Sequence, residues 1–197
     1  MRDPLTRDRI VDELIVAAGE LDVRSASTRV IARRLGVSIG AVQHHYPARA
    51  DLLLDAFAEV SRRVAGRVLD AEFARRDAGD WVAALTQLLP LDAERRAESH
   101  VYMELSSVPD PTGRIGVARR MARRSMMRTI SSQLGEWLDG RLSPSLQESL
   151  AWAIIQLVDG AALAMTDDAT GLEDQRIAFE TGLHAMLDWA RDAARGG

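Results

Sequence analysis

The chain has 197 residues, 47% of them hydrophobic, with 25 arginines against 29 acids for a net charge of −4, and it lacks cysteine. This is enough apolar material for one or two small domains with a real core, and the missing cysteines exclude disulfides and thiolate metal sites. No window approaches ~20 continuous apolar residues, and Met1 to Leu21 is too charged for a secretory signal, so a cytoplasmic protein without a membrane segment is expected.

In chain order, apolar residues at helical spacing predict a first helix from Thr6 to Val23, carried by Ile10, Leu14, Ala17, Ala18 and Leu21. Asp3-Pro4 offers an earlier start, and Met1 to Leu5 reads equally as a loose arm. Ser27 is the expected N-cap of a second, short helix with Ile31, Ala32 and Leu35 on one stripe. Gly36 stops that helix and Ser38 caps a third, which runs to His45 before Pro47. A fourth helix spans Arg49 to Arg75. Shorter ones follow from Asp80 to Leu89 and from Asp92 to Ser107. Pro109 to Gly113 is a loop, and a long helix continues to Asp139. Ser143-Pro144 opens the next, which runs to Thr166, and the last covers Glu173 to Ala194. No strand pattern occurs, so the fold class is all-α, divided into residues 1–48 and 49–197.

Two short helices joined by a glycine turn cannot bury a core alone, but they form the helix-turn-helix, whose second member enters the major groove of DNA. On that member Ile39, Gly40, Gln43 and His44 share the face opposite Val42. From Arg24 to Arg49 there are five arginines and no acid, a local balance of +5, and phosphate binding needs positive charge only at the contact. Gln43 suits adenine, Arg29 suits guanine, and Ile39 suits a thymine methyl. Thr28, Ser38, His44, His45, Tyr46 and Arg49 suit phosphate, with Ser27 beside them. His45 and Tyr46 have a second reading as closing residues of the small core beneath the third helix.

The stretch from Arg9 through Leu52 resembles the TetR family of one-component transcriptional regulators. It shares Ile10, Ala17-Ala18, Ser27-Thr28, Ile31-Ala32, Leu35 to Ser38, Gly40, Tyr46 and Leu52 with the family pattern, with Arg49 at its basic position. Gln43 and His44 replace the usual aromatics, Arg49 the common lysine, and Ala48 a usual capping Ser or Asn, so the base-reading surface is its own. The resemblance implies a first helix that packs across the second and third. It also implies an Arg49 that anchors to phosphate, a fourth helix that links the domains, and dimerisation through the last two helices. Leu88 to Asp92, Glu94-Arg95-Arg96 and Val158 to Leu163 are similar to the branch that includes the choline-betaine pathway repressor. They do not make choline the ligand, because scattered Trp and Tyr assemble no aromatic cage.

The expected dimer seam comprises Trp152, Ile155, Asp159, Gly160, Leu163, Phe179, Leu183, Met186 and Leu187, where small residues let helix backbones approach. These stripes also read as ordinary core. The residues proposed to line an adaptable effector pocket are Trp81, His100, Tyr102, Met103, Met126, Met127, Trp152, Gln156 and Met165. Six arginines between Arg114 and Arg128, with no acid among them, read either as a solvated face or as an attraction for an anion. The expected function is ligand-responsive regulation, most often repression. A homodimer on a palindromic operator would be released by a small-molecule effector, with no cofactor, metal or membrane partner. Catalysis is disfavoured because adjacent His44 and His45 point ~100° apart on a helix and Asp167-Asp168 has no nucleophile or base to serve. A helical interaction protein without DNA binding is the remaining alternative.

Overall fold

The computed structural model describes residues 5–21, 23–70, 77–105, 113–167 and 170–196. Among them every regular element is an α-helix: α1 Arg7–Glu20, α2 Thr28–Leu35, α3 Ile39–His45, α4 Arg49–Asp70, α5 Ala78–Thr86, α6 Ala93–Glu104, α7 Arg114–Trp137, α8 Pro144–Asp167 and α9 Leu172–Gly196. Asp3-Pro4, the end expected for the fourth helix and most of the Pro109 to Gly113 loop lie outside the described residues.

Helix starts follow side-chain capping. The Thr6, Ser27, Ser38 and Asp92 side chains each accept a hydrogen bond from the backbone N–H three residues on, which satisfies one of the donors a first turn leaves unpaired. The expected cap at Asp80, where the sequence reading starts this helix, is corrected to Asp77, whose carboxylate accepts from the Asp80 N–H at 3.0 Å, so that α5 begins at Ala78, three residues earlier than a cap at Asp80 would place it. Gly36 ends α2 with φ +67°, a left-handed conformation in which a Cβ would be strained.

Packing divides the chain into two compact units, residues 1–63 with 90–118 and residues 64–89 with 119–197. In the first unit Ile10, Leu14, Ile15, Ile31, Val42, Leu52 and Leu53 are fully or nearly fully buried. Helix α6 lies directly on α1: a Cβ built on Gly19 would stand 2.5 Å from the Ala97 Cβ and 2.9 Å from its Cα. Ion pairs lace the same elements. Arg63 on α4 reaches Asp12 on α1, Glu59 at 2.8 Å and Glu94 on α6 at 3.9 Å. The Arg62 guanidinium hydrogen-bonded to Glu59, together with Arg63 beside it, holds that carboxyl at about 2, well below the usual range.

In the second unit α7 and α8 share one antiparallel register. Arg123 pairs with Asp159 at 2.8 Å, and a Cβ on Gly135 would meet the Gln147 Oε1 at 3.0 Å. By length and composition α8 could cross a bilayer. Here Leu150, Ile154, Val158 and Met165 are buried, and α8 packs along α9, where Phe179, Leu183 and Leu187 are buried in turn.

Candidate nucleic-acid interface

The third helix presents the face read from its sequence. Val42 is fully buried, while Ile39, Gly40, Gln43 and His44 are exposed along the opposite side. Ile39 leaves 38% of its surface to solvent on a seven-residue helix, an apolar group offered at the reading face. Gly40 has helical geometry and open space around it, since a Cβ there would meet only the Ser38 Oγ at 3.9 Å. Nothing inside the protomer requires glycine at that position.

The hydroxyls of Ser27 and Ser38 act as acceptors for Val30 N–H and Ala41 N–H. Each keeps its own O–H available as a donor at the edge of the surface. Thr28 is half-buried beside Ser27, and Arg29 and Arg33 are exposed and pair with no described residue. His44 and His45 rings meet edge to face at 5.7 Å. His44 points outward and His45 is half-buried.

Two residues expected at phosphate are engaged within the protomer. Tyr46 is 3% exposed, donates its hydroxyl to the Asp55 Oδ2 at 2.8 Å and lies under the Arg7 guanidinium, 4.8 Å from the ring centroid. Burial, reinforced by Asp55, raises the phenol well above its ordinary range. Its placement matches the second reading, a residue that closes the small core. Arg7 also donates to the His45 carbonyl at 3.0 Å, so one side chain from α1 fixes the C-terminal end of α3. Arg49 donates to the carbonyl oxygens of Val23 and Ala26, the latter at 3.0 Å, and so ties the start of α4 to the loop that feeds α2.

The basic patch is smaller than its sequence suggests. Arg34 donates to Glu13 and to Glu20, the latter at 2.6 Å. Glu20 and then Glu13 raise the arginine's pKa, and Arg34 lowers that of Glu20. Arg34 is paired and Arg49 is turned onto carbonyls, whereas Arg29 and Arg33 have no ion pair or hydrogen bond to a described residue.

The residues expected in a dimer seam separate into two sets. Ile155, Phe179, Leu183 and Leu187 belong to the protomer's own core, because each long helix carries apolar residues on more than one side and the larger stripe is covered within the chain. Trp152 is 56% exposed and Leu163 50%, with Gly160 between them on the same side of α8. On α9 Ile177 and Trp189, which the sequence also crowds onto this helix's apolar stripe, are exposed, while Met186 is half-buried. Asp159 is engaged by Arg123.

The expected ligand-lining residues also divide. His100, Tyr102 and Met103 belong to the first unit, where Tyr102 stacks on Phe57 at 5.7 Å. Trp81 and Met165 are buried in the second unit, where Trp81 lies 5.9 Å from Trp137. Trp152 faces outward. Met126, Met127 and Gln156 are half-buried in the second unit, and the Gln156 Nε2 is buried with no hydrogen-bond partner among the described residues.

No protein-family model and no curated protein matches the sequence. Solved structures do. A transcriptional regulator from Rhodococcus sp. Rha1 is 28% identical, with a TM-score of 0.82 over 95% of this chain and 98% of that one. SCO4454, a TetR-family transcriptional regulator from Streptomyces coelicolor, is 18% identical with a TM-score of 0.76 over 94% and 95%. A transcriptional regulator from Saccharomonospora viridis in complex with choline is 20% identical with a TM-score of 0.78 over 92% and 95%. The latter two share the fold across nearly their whole length.

Proposed function

We propose that this chain, a transcriptional regulator with the TetR-family fold, binds a palindromic operator as a homodimer and is released from it by a small-molecule effector. The observation that carries the reading is the third helix. It is capped by Ser38, seated by Val42 and fixed by Arg7, and it turns Ile39, Gly40, Gln43 and His44 to solvent together. A side-chain amide, an imidazole and an isoleucine grouped around an uncrowded glycine form a surface suited to base edges and a thymine methyl. Ser27, Thr28, Arg29, Ser38 and His45 border it as phosphate contacts, while Arg49 and Tyr46 serve from behind by holding its supports.

A single reading head covers one half-site, and two-fold pairing supplies the second. Exposed Trp152 and Leu163 on α8, with Ile177 and Trp189 on α9, form the apolar surface such pairing would cover. In the assignment of roles, residues 1–48 bind DNA and residues 49–197 pair and take the effector. Met126, Met127 and the unpartnered Gln156 amide support an effector contact at the α7–α8 seam, an adaptable apolar wall with one polar donor. Repression is the mode proposed, with α4 carrying the effector's influence to the reading head; a coupling of about 1–3 kcal/mol suffices for a useful switch.

The dimer is tested with Trp152→Glu combined with Leu163→Glu. By multi-angle light scattering the wild type should have the mass of two 21.6 kDa chains and the double variant the mass of one, with unchanged helix content and weakened operator binding. A wild-type monomer, or a variant that remains dimeric, would remove this face from the account.

A further inference from the structure

We propose that the outer ridge of α7, built on Arg120, Arg124 and Arg128 in the second unit, docks an acidic helical segment of a partner protein. The six arginines of this helix have different fates. Arg114 pairs with Asp51 at 2.6 Å, Arg123 pairs with Asp159, and the Arg119 Nε is buried. Arg120, Arg124 and Arg128 are all exposed, and none has an ion pair or hydrogen bond to any described residue. No Asp or Glu occurs between Arg114 and Gly135 to neutralise them along the helix.

Spacing and composition decide the occupant. Residues four apart on a helix lie on one ridge with a rise of about 6 Å, so the three guanidinium groups extend along about 12 Å of a nearly straight line. Carboxylates at the same spacing on a second straight helix match all three at once, each able to take a guanidinium fork. Beside the ridge Met121 is 66% exposed, the most exposed large apolar side chain among the described residues. Methionine and arginine together are characteristic of protein–protein surfaces, whereas a solvent-facing methionine contributes nothing to a phosphate contact.

A second copy of the chain does not supply the acidic ridge. Asp51, Asp55 and Glu59 on α4 have the right spacing, but Asp51 is taken by Arg114, Asp55 by Tyr46 and Arg7, and Glu59 by Arg62 and Arg63. Among the described residues no other helix offers three unpaired carboxylates in such a row. The partner is therefore a different protein with an acidic amphipathic helix.

The test uses the full-length protein and fluorescein-labelled, alanine-based helical peptides. One carries Glu at three successive i, i+4 positions with a leucine beside them; a second has the same composition with the glutamates distributed around the helix. An operator-free duplex is the third probe. The ridge peptide should bind by anisotropy with a salt-sensitive affinity, and the isomer more weakly. Arg120→Gln, Arg124→Gln and Arg128→Gln together should weaken the ridge peptide about tenfold, within the range of three exposed ion pairs, with unchanged circular dichroism and duplex binding. Equal binding of the two peptides, no binding of the ridge peptide, or retention of it by the triple variant would overturn the proposal. A triple variant that loses the duplex instead would mark the ridge as a nucleic-acid surface and would equally overturn it.

Discussion

Replacing Gly19 by alanine should destabilise the protein although alanine is the better helix former. The added methyl would stand 2.5 Å from the Ala97 Cβ and 2.9 Å from its Cα, so relief requires α1 and α6 to separate. Overpacking against atoms that cannot rotate away costs about 1–3 kcal/mol, toward the upper end here because one of them is backbone, and the gain in helix propensity returns about 1 kcal/mol. A net loss of about 1–2 kcal/mol lowers the melting temperature by roughly 2–8 °C. Gly66 on α4 is the internal control. A Cβ there meets nothing within 4 Å, so Gly66→Ala should raise stability by about 0.5–1 kcal/mol. Opposite signs from the same chemical change identify close approach of α1 and α6 as the cause. A Gly19→Ala variant as stable as Gly66→Ala would mean that the two helices are not in contact.

The second large effect is on DNA. Gln43→Ala with His44→Ala removes the two outward polar groups of α3, and neither side chain is buried. The fold should be unaffected, while operator affinity should fall by about 2–4 kcal/mol, roughly 30- to 1,000-fold, because both half-sites of a dimer lose the contact. Gly40→Ala sharpens the test. With open space around it, the variant should lose no stability, yet it should bind the operator less tightly if the backbone of α3 approaches DNA closely. Arg49→Ala is a poorer probe, because its guanidinium holds the Val23 and Ala26 carbonyls and its loss would disturb the loop before α2. Melting curves and operator titrations on the same preparations separate these effects; unchanged operator affinity in the Gln43, His44 variant would remove α3 as the reading head.

Local chemistry explains which parts of this molecule were legible beforehand. Ser27, Ser38, Asp92 and Gly36 act through neighbours within a few residues, and caps and left-handed stops of this kind are written in short sequence windows. The reading face of α3 follows from one buried valine and helical periodicity. The boundary at Asp77 was missed because two aspartates three residues apart are both plausible caps, and only the geometry distinguishes them. Arg34 and Arg49 were counted toward a charge of +5 because their partners are distant in sequence: Glu13 and Glu20 lie on α1, and the carbonyls accepting from Arg49 are 23 and 26 residues away. Ile155, Phe179, Leu183 and Leu187 show the same limit from the apolar side. A helix with hydrophobic residues on two sides does not state which side meets its own chain, and α8 and α9 settle that by packing together.

Specific DNA recognition by α3 is tested most directly by titrating the purified wild-type protein onto the DNA upstream of its own gene, beside an unrelated fragment of equal length, over a series of salt concentrations. Binding should be tighter to the upstream fragment and should survive competitor DNA, with a preference that persists as salt weakens the phosphate contacts common to both fragments. Equal, weak binding to both fragments with the same steep loss in salt would contradict the account, because the arginines around the helix-turn-helix would then contact phosphate alone and α3 would read no sequence.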